Sequence, residues 1–384
     1  MADLDQILPL WKELENSGAD YVLATVTAVE GPSYRKPGAC MLMAQDGRRA
    51  GTVSGGCLEA EVARRAWWLT SDGPTVQRFS TVEEDGDRPY GSGCGGVVWL
   101  LLERRPTAAP LLDALLQSFQ QRTPLAVASI LEGNYVGRRA FAGLESGQAG
   151  DPLFKAPDSL QHFAELALVS KASTQSRLSL HGPEVRVWAD FRPARPGLWI
   201  FGAGDDAQPL LRLAKELGWL VAVADGRFQL ATRARFPAAD ELHVLLMEEL
   251  AAGKSPGRPP VLANIRSHDA AVVMTHSFEQ DSRALASLLA LKAPPAYIGV
   301  LGPQRRTREL LAEAARLLKL PESATSETVE RWLAQLHAPT GLDLGAESPE
   351  TIALSVIAEI QKSFAKASAL PLRQVRAVAP GVSG

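Results

Sequence analysis

Cysteine is scarce in this chain: three residues in 384, at Cys40, Cys57 and Cys94. An odd and widely spaced set argues against a disulfide framework and for a reducing compartment, so a cytoplasmic location is expected. Histidine is also sparse, with six in the chain. There is no Cys-x-x-Cys and no histidine cluster to complete four zinc ligands, so no metal site is expected. No apolar run approaches the roughly 20 residues that span a bilayer. The first residues, Met1–Ala2–Asp3–Leu4–Asp5, lack the basic and apolar parts of a secretory leader. An excess of one charge is missing too: 40 Lys and Arg stand against 43 Asp and Glu, a net charge of -3. Neither nucleic acid nor a membrane is expected as a partner.

What is present is an ordinary globular composition, 46% hydrophobic and 22% charged, in a chain long enough for two cores. Residues 4–16 place Leu4, Ile7, Leu8, Trp11 and Leu14 on one helical face. Strands are expected at Tyr21–Val29, Ala39–Ala44, Val76–Ser80, Val97–Leu102, Leu125–Leu131 and Val185–Ala189. Helices are expected to about Leu69 and over Leu111–Gln120, with a surface excursion over 143–160. A proline-stiffened linker, Arg192–Gly197, follows. Beyond it, strands at Leu198–Phe201, Leu220–Ala224, Glu241–Val244, Ala270–Met274 and Ala296–Val300 alternate with helices. The expected fold is α/β: a mixed domain over 1–191, then a Rossmann-like, doubly wound parallel sheet over 198–370.

The second half opens on Phe201–Gly202–Ala203–Gly204–Asp205–Asp206–Ala207, between an apolar run and a helical pattern, with Asp225 closing the next strand. That is the order of a dinucleotide-binding unit. Gly202 permits the turn, Gly204 admits a phosphate to backbone amides, and Ala207 allows close helix packing. Asp225 is the candidate acceptor for a ribose. Asp205 and Asp206 oppose an anion at the helix N-terminus, so a nucleotide site and a Rossmann-like fold with altered binding both remain open. His276, after Met274–Thr275, is a candidate acid, base or phosphate contact at the carboxyl end of a strand. Arg305 and Arg306 bring cations to the same edge, and Gly341–Leu342–Asp343–Leu344–Gly345 forms a fourth turn there.

The first half carries its own motifs. Ser54–Gly55–Gly56–Cys57–Leu58–Glu59 puts a thiol at the start of a helix, where free amides activate it. Gly91–Ser92–Gly93–Cys94–Gly95–Gly96 puts another in a loop of glycines, a sign of unusual backbone angles or close ligand approach. Either thiol could equally be a small buried residue. Cys40 lies in an apolar strand and reads as core. Gly31–Pro32–Ser33–Tyr34–Arg35–Lys36–Pro37–Gly38 is a basic turn whose Arg35 and Lys36 suit a phosphate or open solvent.

Taken in order over roughly residues 10–365, these motifs resemble the XdhC/CoxI family, accessory proteins of molybdenum hydroxylases such as xanthine dehydrogenase. The resemblance rests on Gly31–Gly38, Ser54–Glu59, Cys94–Gly96, Phe201–Gly204, Val272–His276, Tyr297–Gly302 and Gly341–Glu350. It implies a chaperone without net turnover. Such a protein binds molybdenum cofactor (molybdopterin) transiently, protects it or assists its sulfuration, and inserts it into the apo-hydroxylase. It implies a cysteine desulfurase and the hydroxylase apoenzyme as partners, and a homodimer. Cys57 and Cys94 are the candidates for touching molybdenum or relaying sulfur. Arg35, Ser54, Gly55, Gly56, Gly202, Gly204, Ala207, Asp225, His276 and Arg305 are the candidates for holding the cofactor. The family pattern commonly has His after Gly204 and Asp-Arg after Asp225; this chain has Asp205 and Gly226–Arg227. The competing expectations are an NAD(P)-dependent oxidoreductase with His276 as acid or base, and a scaffold docking a desulfurase onto the hydroxylase.

Overall fold

The computed structural model describes residues 3–56, 58–80, 96–144, 154–180, 182–245 and 261–376, without the side chains of 261, 322 and 324. The chain divides into two compact units, Met1–Arg195 and Pro196–Gly384.

The first unit runs α1 (Leu4–Ser17), β1 (Tyr21–Glu30), β2 (Cys40–Ala44), β3 (Arg49–Gly51), α2 (Glu59–Leu69), β4 (Thr75–Ser80), β5 (Val97–Arg104) and α3 (Arg105–Gln121). It continues with β6 (Leu125–Ile130), β7 (Arg139–Ala142), α4 (Asp158–Ser170), β8 (Thr174–Ser179) and β9 (Glu184–Arg192). Two antiparallel sheets form, ordered β3-β2-β1-β5-β4 and β7-β6-β9-β8. Alternation along β1 explains how the larger sheet is covered. Tyr21 and Leu23 face α1 and α3, while Val22, Ala24 and Val26 face α2. The helix α4 covers the smaller sheet through Leu160, Ala164 and Ala167.

Several boundaries depart from the sequence reading. The helix α3 begins at Arg105, because Pro106 is tolerated in a first turn that lacks intrahelical donors anyway. Residues 158–170, placed partly in a surface excursion, are the helix α4. The strand β8 was not expected: Thr174–Ser179 is almost wholly exposed, so it carries no apolar alternation to read. The Ser54–Gly56 loop precedes α2 rather than forming its first turn, since α2 starts at Glu59.

The second unit runs β10 (Gly197–Phe201), α5 (Ala207–Glu216), β11 (Leu220–Asp225), β12 (Glu241–Val244), β13 (Ala270–Val273) and α6 (Phe278–Leu289). It ends with β14 (Tyr297–Val300), α7 (Gln304–Leu317), α8 (Glu322–Gln335), α9 (Pro349–Ala365) and α10 (Leu372–Arg376). All strand pairs in its sheet are parallel, in the order β12-β11-β10-β13-β14. Leu198 and Ile200 pack with α5 and α9 on one face; Trp199 and Phe201 pack with α6, α7 and α8 on the other. The fold is the doubly wound, Rossmann-like sheet that the alternating pattern implies. The strand order reverses at β10, so β10 and β13 diverge at the switch point, where ligands bind in such sheets. No helix among the described residues is long and apolar enough to cross a membrane.

Candidate functional site

In the first unit the structure brings three sequence motifs to one place. The Gly31–Gly38 turn is the hub. Tyr34 packs over Gly55, where an added Cβ would lie 2.9 Å from its ring. Gly55 also has φ of 99°, a left-handed conformation that suits glycine. Gly96, two residues past Cys94, packs against the Pro32 carbonyl so closely that a Cβ has no room. Arg35 Nε donates to the Thr52 carbonyl at 3.3 Å, and Arg35 Nη2 binds both Asp3 oxygens at 2.7 Å. Arg35, expected at a phosphate, thus ties the turn to the N-terminal helix and to the Ser54 loop. Cys57 and Cys94 themselves lie outside the described residues.

The amides of the Ser54 loop already hold an anion, and it comes from the protein. The carboxylate of Glu59 accepts from the backbone N–H of Val53 (3.0 Å), Ser54 (2.8 Å), Gly55 (3.1 Å) and Gly56 (2.9 Å). It also accepts from the hydroxyls of Thr52 and Ser54. Burial alone would push the Glu59 carboxyl up; the hydroxyl and backbone donors outweigh it and hold it far below the usual range. Ser54, Gly55 and Gly56 were expected to offer these donors to a cofactor. They instead form a nest closed by Glu59, because a carboxylate at the head of α2 is in reach and costs less entropy than an outside anion. Beside the nest lies a cavity of about 380 Å³ lined by Arg49, Thr52, Gly56 and Glu59.

In the second unit the strand ends carry a connected polar network. Gly202 follows β10 with φ of 135°, and a Cβ there would lie 2.5 Å from the Met274 carbonyl oxygen. Ala203 N–H donates to Asp225 Oδ2 at 2.7 Å, and Arg227 donates to both Asp225 oxygens. Arg227 reaches on to the Thr275 carbonyl at 3.2 Å. Thr275 Oγ1 donates to Asp281 Oδ1 at 2.6 Å, and Arg306 Nη2 donates to Asp281 Oδ2 at 2.6 Å. The loops after β10, β11 and β13 and the start of α7 are therefore linked in one chain of contacts. The segment through His337 and Thr340 pairs in parallel beside β14, so the Gly341 turn departs at the same edge.

This network gives several of the candidate residues partners within the protein. Asp225 is fully buried, with both oxygens committed to Ala203 and Arg227 rather than offered to a ribose. Burial raises its pKa, but the Arg227 and backbone donors win and keep it low. The arginine two residues on, in Gly226–Arg227, supplies that internal partner. Ala207 is buried in the first turn of α5, and Gly204 sits against Asp206. His276 adopts a left-handed φ of 62° and its Nε2 lies 3.0 Å from Asp206 Oδ2. Asp205 pairs with Arg235 at 2.8 Å. Arg305 points to solvent and contacts Glu309; its neighbour Arg306 joins the network. The motif places Arg306 at this edge, but the partnerships of Arg227 with Asp225, of Arg306 with Asp281, and of Glu59 with the Ser54 loop are ones that motif reading does not assign. Their common signal is a charged residue within one helical turn of a glycine or threonine turn. Phe228, in the turn after β11, and Phe278, the first residue of α6, are also exposed at this edge.

These features define the class: a two-unit α/β protein with glycine-loop clustering in the first unit and a Rossmann-like second unit. The comparisons with known proteins agree. The description "XdhC Rossmann domain" matches residues 198–360, and "XdhC and CoxI family" matches residues 14–80. The chain is 31% identical over 346 residues to a Bacillus subtilis (strain 168) protein named as a probable xanthine dehydrogenase subunit, covering 88% of this chain and 92% of that one. It is 28% identical over 353 residues to the "Molybdenum cofactor insertion chaperone PaoD" of Escherichia coli (strain K12), covering 90% and 83%. A crystal structure described as a xanthine dehydrogenase from Bacillus halodurans superposes with a TM-score of 0.70 at 27% identity, covering 98% of this chain and all of that one. The chain belongs to the XdhC and CoxI family.

Proposed function

We propose that this protein is an accessory chaperone that binds molybdenum cofactor as cargo and inserts it into a molybdenum hydroxylase. The observation that carries the reading is the convergence of Gly55 and Gly96 on the Gly31–Gly38 turn. These glycines adjoin in sequence the two thiols, Cys57 and Cys94, that suit a soft metal. The end-to-end likeness to a protein named as an insertion chaperone supports it. In this reading Cys57 and Cys94 contact molybdenum or pass sulfur to it, the sulfur arriving from a cysteine desulfurase. The hydroxylase apoenzyme receives the cargo, the chaperone works as a homodimer in the cytoplasm, and no net turnover is required of it.

The test is anaerobic incubation of the purified protein with molybdenum cofactor, desalting, and quantitation of molybdenum and oxidised pterin. Wild type, Cys57→Ser and Cys94→Ser run in parallel. Retention near one equivalent, reduced in a cysteine variant, is the expected outcome. No retention by wild type overturns the reading.

A further inference from the structure

The helix α9 has two unlike faces. Ala353, Val356, Ile357 and Ile360 are buried in the core of the second unit. On the opposite side Glu350, Leu354, Gln361 and Ala365 are exposed and Ala358 is half-buried, a single stripe at helical spacing.

The two ends of that stripe differ in charge. At the head, Asp343, Glu347 and Glu350 are exposed beside the exposed Leu344, and none of these carboxylates pairs with a cation among the described residues. At the far end, every residue of 366–375 is exposed. This tail carries Lys366 and Arg373, neither in an ion pair among the described residues, and Arg376 follows. Residues 366–384 contain no Asp or Glu. Leu370, Leu372 and Val375 are each at least 50% exposed, and Leu372 and Val375 stand three apart in α10, on one side of it. The match to the XdhC Rossmann domain ends at residue 360, so the tail lies beyond it.

An acidic, apolar head and a basic, apolar tail complement each other, yet they sit at opposite ends of one helix. The 17 residues of α9 hold them about 25 Å apart. A second copy running antiparallel satisfies both ends at once through a two-fold axis. With the axis at Ala358, Glu350 of one protomer lies opposite the partner's Lys366, and the reverse holds for the second pair. Leu354 enters between the partner's Gln361 and Ala365. Ala358, facing its own copy, is small enough for two helices to approach to about 8–10 Å. A parallel arrangement would set Glu350 against Glu350, so charge selects the antiparallel one. The helix stripe alone, about 25 Å by about 10 Å, falls short of the roughly 800 Å² per partner of a stable interface. The Asp343–Glu350 segment and the tail, which the same axis brings together, supply the remainder.

We propose that α9 and the basic tail form a two-fold interface between two copies of this chain, each tail seated on the acidic Asp343–Glu350 segment of the other. The inference rests on the homodimer of the chaperone reading and on no other part of it.

The experiment is sedimentation velocity on the full chain over a concentration series. Wild type is expected to sediment as a dimer. Glu350→Lys and Lys366→Glu change exposed side chains, and each acts twice at a two-fold interface. Each is expected to weaken the dimer by about tenfold or more, and the two together to restore it. Ala358→Arg sets two cations against each other at the axis, and Leu372→Asp puts charge on the apolar side of the tail; both are expected to give monomers. Far-UV circular dichroism confirms that each variant is folded. A monomeric wild type overturns the proposal, including one whose tail folds back on its own acidic segment. A dimer that none of these substitutions weakens overturns it too, as does a double exchange that fails to restore affinity. Molybdenum retention is measured separately, and its failure in a dimeric wild type would sink the cargo reading while leaving this interface in place.

Discussion

Glu59 places a carboxylate where a loop of glycines and hydroxyls would otherwise receive an outside anion. Four backbone donors and two hydroxyls converge on it. Removing it leaves those donors without a partner in a half-buried loop, and an unsatisfied buried donor costs about 1–3 kcal/mol. Glu59→Ala is expected to destabilise the first unit by about 3 kcal/mol, read as a lower urea midpoint with unchanged slope. The pH dependence has a definite sign. A carboxyl held low in the folded protein binds its proton more weakly there than in the unfolded chain, so its stabilisation is complete above the ordinary value of 4.5 and is lost as pH falls below it. Glu59→Gln should flatten the stability curve on that acid side while leaving the region above pH 4.5 parallel to wild type. An identical acid limb in the variant would show that Glu59 does not carry the effect.

Between elements, the buried ion pair of Glu103 on β5 and Arg139 on β7 joins the two sheets of the first unit. Their side chains are 0% and 2% exposed. Breaking one side of such a pair leaves a charge in a low-dielectric interior, at a cost of about 3–5 kcal/mol. Glu103→Gln should therefore destabilise strongly, whereas the joint change Glu103→Leu with Arg139→Met should recover most of the loss in the same urea titration. A second element-level prediction concerns the turn after β10. Gly202→Ala needs a Cβ 2.5 Å from the Met274 oxygen at φ of 135°, strain of about 1–3 kcal/mol or more. The elements themselves were largely legible in the sequence, since Leu198–Phe201 and Leu220–Asp225 combine β-branched and apolar runs with glycine punctuation. What was not legible follows from the same physics. The strand β8 is exposed and has no apolar face to show, and α4 hides behind the glycines and prolines that precede it. At the sites, motif spacing located the loops but not their partners. That Glu59 fills the Ser54 nest and Arg227 claims Asp225 depends on contacts that no periodicity encodes.

At the scale of the whole molecule, each unit has its own buried clusters: Leu23, Leu42 and Leu112 in the first, Trp199, Phe201 and Val223 in the second. Compact units with separate cores unfold as separate cooperative transitions when their contacts are mainly internal. Differential scanning calorimetry should accordingly resolve two transitions, and the substitutions above label them. Glu59→Ala acts inside Met1–Arg195 and should lower one midpoint; Gly202→Ala acts inside Pro196–Gly384 and should lower the other. For units of this size a loss of about 2 kcal/mol moves a midpoint by roughly 4–8 °C, well within resolution. If both substitutions shift one common transition together, the units share their stability, and a ligand bound in the first would then be felt at the strand ends of the second. If each moves its own, cargo held by the glycine loops and any ligand of the Rossmann-like edge are stabilised independently. Repeating the scans with molybdenum cofactor bound decides which unit holds that cargo, because binding to the native state raises the midpoint of the unit that holds it.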